Sequence, residues 1–267
     1  MVRMNLESIA KFTTATSTQI LAGGQNESVK AGNLVLKPVY EAEKYIWLGA
    51  CLNQIDLGDL QVAVPIKSRA GNFVEDNIGA TRYFDAQFFP DRLEEKLNAC
   101  RSLNSIISKI SKPSSFDSWE NPWTKAQGIA WSQSASSQLE IPKEIRALLN
   151  IRTRLEMPDQ LVHVDLAGNI LFDKNERPVV IDFTPGFYPK EYAEVLLLVD
   201  SIAWYGAPIE SLDLLNVDRL LKEQLILRGL IFRLSVPLFM GQSPSQKNFQ
   251  KNYDGYRSII HRILYQL

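Results

Sequence analysis

Cysteine and histidine are scarce in this sequence. The 267 residues hold two cysteines, Cys51 and Cys100, both in apolar stretches of helical spacing. That usage suits neither a thiolate metal site nor a disulfide framework, and reduced, buried thiols are expected. The only histidines are His163 and His261. Long hydrophobic runs are missing too. The longest, Val195 to Ala207, is too short to cross a bilayer and is interrupted by Asp200. The first residues, MVRMNLESIAKF, lack the apolar core of a secretion signal. A net charge of -1 gives no overall electrostatic argument for nucleic acid or an anionic membrane. There is no internal repeat and no low-complexity tract. These absences lead us to expect a cytoplasmic protein, monomer or homodimer, with no membrane or nucleic-acid partner.

What is present reads as an ordinary globular chain. Hydrophobic residues make up 45% and charged residues 22%. The length suits one large domain or two small lobes. Strand-like patterns dominate the first third. Gln19 to Leu21 and Leu34 to Val39 flank a turn-rich stretch, Ala22 to Asn33, that contains Gly23, Gly24 and Gly32. Two readings fit this unit. One is a surface hairpin with a solvated lysine. The other is a loop whose backbone N–H groups, including those at Gly23 and Gly24, cover phosphates, with Lys37 reaching the same phosphates from the next strand. Glu41 to Asn53 has the spacing of a helix. Glu41 and Glu43 in its first turn suit the helix dipole. Glu43 is also the preferred candidate to pair with Lys37 and hold it toward a nucleotide.

Leu60 to Lys67 and Asn72 to Tyr83 read as further strands, and Asp91 to Ile110 as a long helix. The boundary between a β-rich lobe, 1–84, and a helical lobe, 85–267, falls near Tyr83 to Phe89. A cleft between two such lobes is a natural ligand site. Lys112 to Trp123 is read as a packed surface loop, in preference to an insertion near a substrate. Helices are expected over Thr124 to Ser132, over Pro142 to Leu149 and through most of Glu191 to Leu267.

The densest chemistry lies between Leu161 and Pro185, LVHVDLAGNILFDKNERPVVIDFTP. It reads strand, loop, strand, turn, strand, and places Asp165, Asn169 and Asp182 near one end of a hairpin. Each alone is an ordinary turn former or strand end. Together they form an ordered set of hard oxygen donors. Magnesium is commonly held by one or two protein oxygens plus substrate phosphates, which Asn169 and Asp182 would supply. Asp165 would orient or deprotonate an acceptor hydroxyl. Phosphoryl transfer needs little beyond such positioning and charge neutralisation.

HVDLAGNILFD followed by VVIDF resembles the signature of the aminoglycoside phosphotransferase and choline kinase-like superfamily, distant relatives of protein kinases. VLKPVYEAEKYIW, IDFTPGFYP and VDSIAWYGAP extend the likeness to an uncharacterised bacterial subgroup. The resemblance implies an α+β, two-lobed protein kinase-like fold, with a small antiparallel sheet in the N-lobe and a larger, mostly helical C-lobe. It implies ATP in the cleft, Mg2+ as cofactor, Asp165 as catalytic base, Asn169 and Asp182 as metal ligands, Lys37 on the phosphates, and His163 as structural support. Two features depart from the family. Asn169 follows Asp165 by four residues where five are usual, and Val164 replaces a small residue after the histidine. A catalytically impaired relative, binding nucleotide as a regulatory or binding module, is the alternative.

The acceptor is expected to be a small hydroxylated metabolite. Between Leu214 and Leu267 eight basic residues face three acidic ones, a balance that does not suit a polycationic aminoglycoside. Trp204 and Tyr205 fit an acceptor pocket and helical core packing equally well.

Overall fold

A computed structural model describes residues 6–21, 27–131 and 141–265. The N-terminal part opens with a short helix, α1 (Leu6–Ala10), and strands β1 (Thr18–Ile20), β2 (Val29–Ala31) and β3 (Leu34–Pro38). Helix α2 (Ala42–Leu52) follows, then β4 (Gln61–Val62), β5 (Pro65–Ile66), β6 (Val74–Glu75) and β7 (Ile78–Arg82). Six of these strands form one antiparallel sheet in the order β1-β2-β3-β7-β5, with β6 also on β7. Its inner face is a small core of its own. Alternate residues Leu34 and Leu36 on β3, and Ile78 and Ala80 on β7, meet Ile9 and Phe12 from the α1 segment. The two long strands expected from Leu60 to Tyr83 are thus each broken into two pieces. Asp76 and Asn77, both at positive φ, make the tight turn between β6 and β7.

The helical part contains β8 (Ala86–Gln87), α3 (Leu93–Ile107), α4 (Pro122–Trp131), α5 (Lys143–Asn150) and strands β9 (Gln160–His163), β10 (Ile170–Asp173), β11 (Pro178–Val180) and β12 (Pro185–Tyr188). Helices α6 (Lys190–Tyr205), α7 (Arg219–Phe239) and α8 (Lys247–Tyr265) complete it. Helix α6 is the hub: Tyr192 through Ser201 are buried without interruption. That unbroken burial is why LLLV reads as an apolar run rather than a stripe. Cys100 is buried against this core, while Cys51 on α2 is only partly buried, contrary to the expectation for both thiols. Among the described residues, no helix is long and apolar enough to cross a membrane.

The hairpin β10–β11 pairs Ile170 with Val180 and Phe172 with Pro178. It is widened on one side by β8 and on the other by β4, which runs parallel to β11. Residues 61–62 and 86–87, from either side of β7, therefore grip the hairpin that carries the candidate site.

The expected final strand VVIDF stops earlier, at Val180. Asp182 leaves the strand with φ 50°, and the chain turns back so that β12 pairs antiparallel with β9, Pro185 opposite His163. A non-glycine residue in the left-handed region ends pairing and redirects its side chain.

The Lys112 to Trp123 loop packs through its aromatic residues, but Trp123 at its end lines the cleft beside Asp165 and Trp204, so the expectation that the loop lies away from a ligand site holds only in part. Phe116 lies edge-on to Phe187 with ring centres 4.9 Å apart, and to Trp47 of α2 at 5.8 Å. Trp119 joins the same group, 5.2 Å from Phe116. Such aromatic pairs each add about 0.5–1.5 kcal/mol beyond their buried area. Here they fasten α2 to the helical lobe.

Candidate active site

The loop after β9 is built on His163. Its ring is fully buried. Nδ1 accepts a hydrogen bond from the Asp165 amide at 3.1 Å, and Nε2 bonds the Ile181 carbonyl at 3.2 Å. Those two contacts require a neutral ring with its proton on Nε2. Burial lowers the imidazole to about 4, against the raising pull of the Asp165 carboxylate. His163 thus ties the start of the loop to the residue before Asp182.

Four residues suffice to close the loop. The Asn169 amide bonds the Leu166 carbonyl at 2.9 Å, and Asn169 Nδ2 donates to the Asp165 carbonyl at 2.7 Å. The Ile181 amide then donates to the Asn169 carbonyl at 2.9 Å. One backbone bond therefore brings Asn169 beside the approach to Asp182. The Tyr205 hydroxyl closes over Gly168: a Cβ there would lie 2.5 Å from it, so a side chain would require the tyrosine to move.

Lys37 meets this segment from the other lobe. It sits on β3 opposite Gly79 of β7, and its Nζ is bonded to Asp182 Oδ1. Tyr45 packs over Gly79 so closely that a Cβ there would be 2.5 Å from its ring. The surrounding protein disfavours charge on Asp182, but the Lys37 ammonium outweighs this and holds the carboxyl below its usual range.

Glu43 does not pair with Lys37. Trp119 Nε1 donates to Glu43 Oε2 at 3.4 Å, and Glu41 accepts from Asn121 at 3.0 Å. Glu43 and Trp47 share one helix face, and the Trp47 cluster turns that face toward the 112–123 loop. Gly23 and Gly24 lie outside the described residues.

Sequence reasoning missed a second group. Asp165 Oδ1 accepts from Arg233 Nη2 of α7 at 2.9 Å. The same Nη2 bonds Asp200 of α6, while Arg233 Nε reaches Asp200 Oδ1 at 3.0 Å. Tyr256 of α8 donates to Asp200 Oδ1 at 2.6 Å and accepts from Trp204 Nε1 at 2.9 Å. Burial works against the Arg233 charge, but Asp200 and then Asp165 hold the guanidinium above its ordinary value. The signal available in the sequence was a charge embedded in an apolar stretch of each of two helices, Asp200 after VLLLV and Arg233 within LIFRLSV. Such charges need partners.

Asp165, Gly168, Asp200, Trp204, Tyr205, Arg233 and residues of α8 line a cleft of about 510 Å³, the size of a small-molecule site. Trp204 and Tyr205 are 42% and 37% exposed, so both face the cleft rather than the core.

The donor set fits a magnesium ion. Asn169 offers Oδ1, since its Nδ2 is the donor to Asp165, and Asp182 offers a carboxylate. Both are hard oxygens of the kind magnesium takes, and the nearby His163 ring is already engaged through both nitrogens.

No protein-family model matches this sequence, and no curated protein is significantly similar to it. Solved structures do match in shape. Choline kinase LicA from Streptococcus pneumoniae superposes with a TM-score of 0.61 at 14% identity, covering 98% of this chain and 97% of that one. An aminoglycoside phosphotransferase from Alicyclobacillus acidocaldarius gives 0.57 at 12% identity, over 99% and 96%. The GDP complex of aminoglycoside 2'-phosphotransferase-IIIa gives 0.57 at 12% identity, over 93% and 94%. The chain has the α+β, two-lobed kinase-like fold. Within that class its likeness is to the aminoglycoside phosphotransferase and choline kinase-like group, over nearly its whole length.

Proposed function

We propose that this protein is a phosphotransferase that moves the γ-phosphoryl group of ATP to a hydroxyl of a small molecule, with Mg2+ as cofactor. Two sets of contacts support the reading. Asp165, Asn169 and Asp182 are drawn together by the His163 and Asn169 backbone contacts, and Lys37 closes on Asp182 from the other lobe. The shape likeness to two kinds of phosphotransferase, one solved with GDP, supports it. Residues 1–84 would serve as the nucleotide lobe and 85–267 as the lobe holding the catalytic loop and acceptor site.

In this scheme Lys37 leaves Asp182 for the nucleotide phosphates. Asn169 and Asp182 would hold the magnesium ion, whose contribution would be charge neutralisation at the phosphates. Asp165 accepts the hydroxyl proton as the acceptor oxygen bonds to phosphorus and the bond to the departing ADP breaks. His163 keeps the Asp165 backbone in place without touching substrate. A cytoplasmic location, where ATP is abundant, agrees with this activity. The acceptor is a hydroxylated metabolite rather than an aminoglycoside; resistance conferred by the expressed chain, together with turnover in vitro, would overturn that choice.

The test is a thermal-shift titration with Mg-ATP and Mg-GTP, followed by ADP or GDP release measured over an acceptor panel. Stabilisation with acceptor-dependent release is expected. Stabilisation with no release across the panel would favour the nucleotide-binding module instead, and no shift at millimolar nucleotide would remove both.

A further inference from the structure

The charges around the cleft do not suit a cation. Four residues of fixed charge line it: Asp165, Asp200, Arg233 and Lys251. Asp200 has nothing left to offer a ligand. Its Oδ1 is taken by Arg233 and Tyr256, and its Oδ2 by Arg233. Asp165 gives Oδ1 to Arg233 and must keep its remaining oxygen for the acceptor hydroxyl. A cationic acceptor would find no carboxylate to spare.

The cations are less fully engaged. Arg233 uses Nε and Nη2, and its Nη1 makes no hydrogen bond among the described residues. Lys251 is exposed on α8, lines the cleft, and makes no ion pair among the described residues. Gln242, Asn248 and Asn252 add neutral hydrogen-bonding groups, while Trp204 and Tyr205 offer apolar ring faces to a carbon skeleton. An anion placed here meets the unpaired Lys251 and the one unbonded nitrogen of Arg233, whose other nitrogens are taken by Asp165 and Asp200. A cation meets the same Lys251 and no carboxylate except the one that takes the hydroxyl proton, a less favourable match.

We infer that the acceptor is an anionic hydroxylated molecule, whose carboxylate or phosphate lies against Arg233 and Lys251 while its hydroxyl faces Asp165. The inference rests on reading this cleft as the acceptor site of a phosphotransferase. It separates the chain from what its structural neighbours are named for, choline and aminoglycosides, both cations.

The experiment measures binding by calorimetry and thermal shift, with Mg-ADP present to fill the nucleotide site. The probes are gluconate, glycerol 3-phosphate, sorbitol, choline and kanamycin. Gluconate or glycerol 3-phosphate is expected to bind more tightly than the other three, and the stronger of the two tells carboxylate from phosphate. Lys251→Glu, a change at an exposed position, is expected to weaken that binding by about tenfold or more. Tighter binding of sorbitol, choline or kanamycin, no binding of either anion, or anion binding unchanged in Lys251→Glu would each overturn the inference. A chain that responds to Mg-ADP and binds no anion keeps the transfer reading and loses this one. A chain blind to nucleotide that still binds an anion through Lys251 keeps the anion site and loses the transfer reading.

Discussion

Lys37 and Arg233 each hold a carboxylate of the Leu161 to Pro185 segment, one from across the lobes and one from within the helical lobe. The Asp182 and Asp165 carboxylates are similarly exposed, at 57% and 50%, but their partners differ: Lys37 is 28% exposed, whereas Arg233 is 12% exposed and is also held by Asp200, itself 7% exposed. Lysine offers a point charge on a flexible stem and arginine a rigid fork. The first pair can part at little cost when phosphates arrive. The second cannot part without stranding a charge in the core. One end of the segment is thus free to exchange partners, and the other is fixed. A transfer site needs both, since the nucleotide must enter and leave while the acceptor-facing carboxylate keeps its place.

The largest expected effect is on the fixed end. Asp165→Ala removes the proposed proton acceptor and should lower turnover by about 10³-fold. Because Lys37, Asn169 and Asp182 are untouched, the Mg-ATP thermal shift should survive. Product release measured alongside the thermal shift checks both halves. Turnover within a few-fold of wild type would remove Asp165 from its proposed role.

Arg233→Ala breaks the buried group while leaving Asp200 in place. A loss of about 3–5 kcal/mol is expected, as for other buried charges stripped of a partner. Urea unfolding reads it directly. Arg233→Met combined with Asp200→Leu removes both charges together and should recover most of the loss. If Arg233→Ala alone costs under about 1 kcal/mol, the pair behaves like a surface one and the contrast with Lys37 disappears.

These two ends were not equally legible. Asp165, Asn169 and Asp182 stand close together in the chain, so residue types and spacing singled them out as candidates. Asp200, Arg233 and Tyr256 come from three helices, and only the packing of α6, α7 and α8 brings them together. No local pattern records that packing. Glu43 failed for a related reason. Its place in the first turn of α2 was readable, but the direction of that helix face is set by Trp47 meeting Phe116 and Phe187 far along the chain. The final strand was overrun because an aspartate at positive φ looks no different in sequence from one that ends a strand. The antiparallel small sheet and the helical lobe were legible, since each rests on periodicity; the aromatic packing of the 112–123 loop was legible too, but not the place of Trp123 on the cleft.

His163 links the two ends, and pH tests that link. The folded ring titrates near 4, against about 6.5 in the unfolded chain. Between those values the unfolded state holds the proton and the folded state does not. Stability contributed by this residue is therefore intact above about pH 6.5, falls as pH drops toward 4, and levels off below it, a loss of about 3 kcal/mol at most. His163→Gln, which keeps a donor and an acceptor without the titration, should flatten that part of the curve. Denaturant midpoints from pH 7 to pH 4 for both proteins make the comparison. An unchanged slope would mean that the ring is not buried in its neutral form.

The smallest stability effect belongs to Lys37. Lys37→Ala removes one partner of an exposed pair, so unfolding should shift by no more than about 1 kcal/mol. Its effect on nucleotide should be far greater, because the ammonium is proposed to move from Asp182 to the phosphates. The Mg-ATP thermal shift should be largely lost in Lys37→Ala while the unmodified fold melts almost where the wild type does. Raising salt should weaken the pair in the wild type and narrow even the small stability difference, since exposed charges are screened. A variant that is several kcal/mol less stable would make Lys37–Asp182 a structural clamp like Arg233–Asp200. One that keeps its nucleotide shift would leave the lysine without a place on the phosphates. Either result would reduce the two ends to one kind of contact, whereas a small stability change with lost nucleotide binding keeps them distinct.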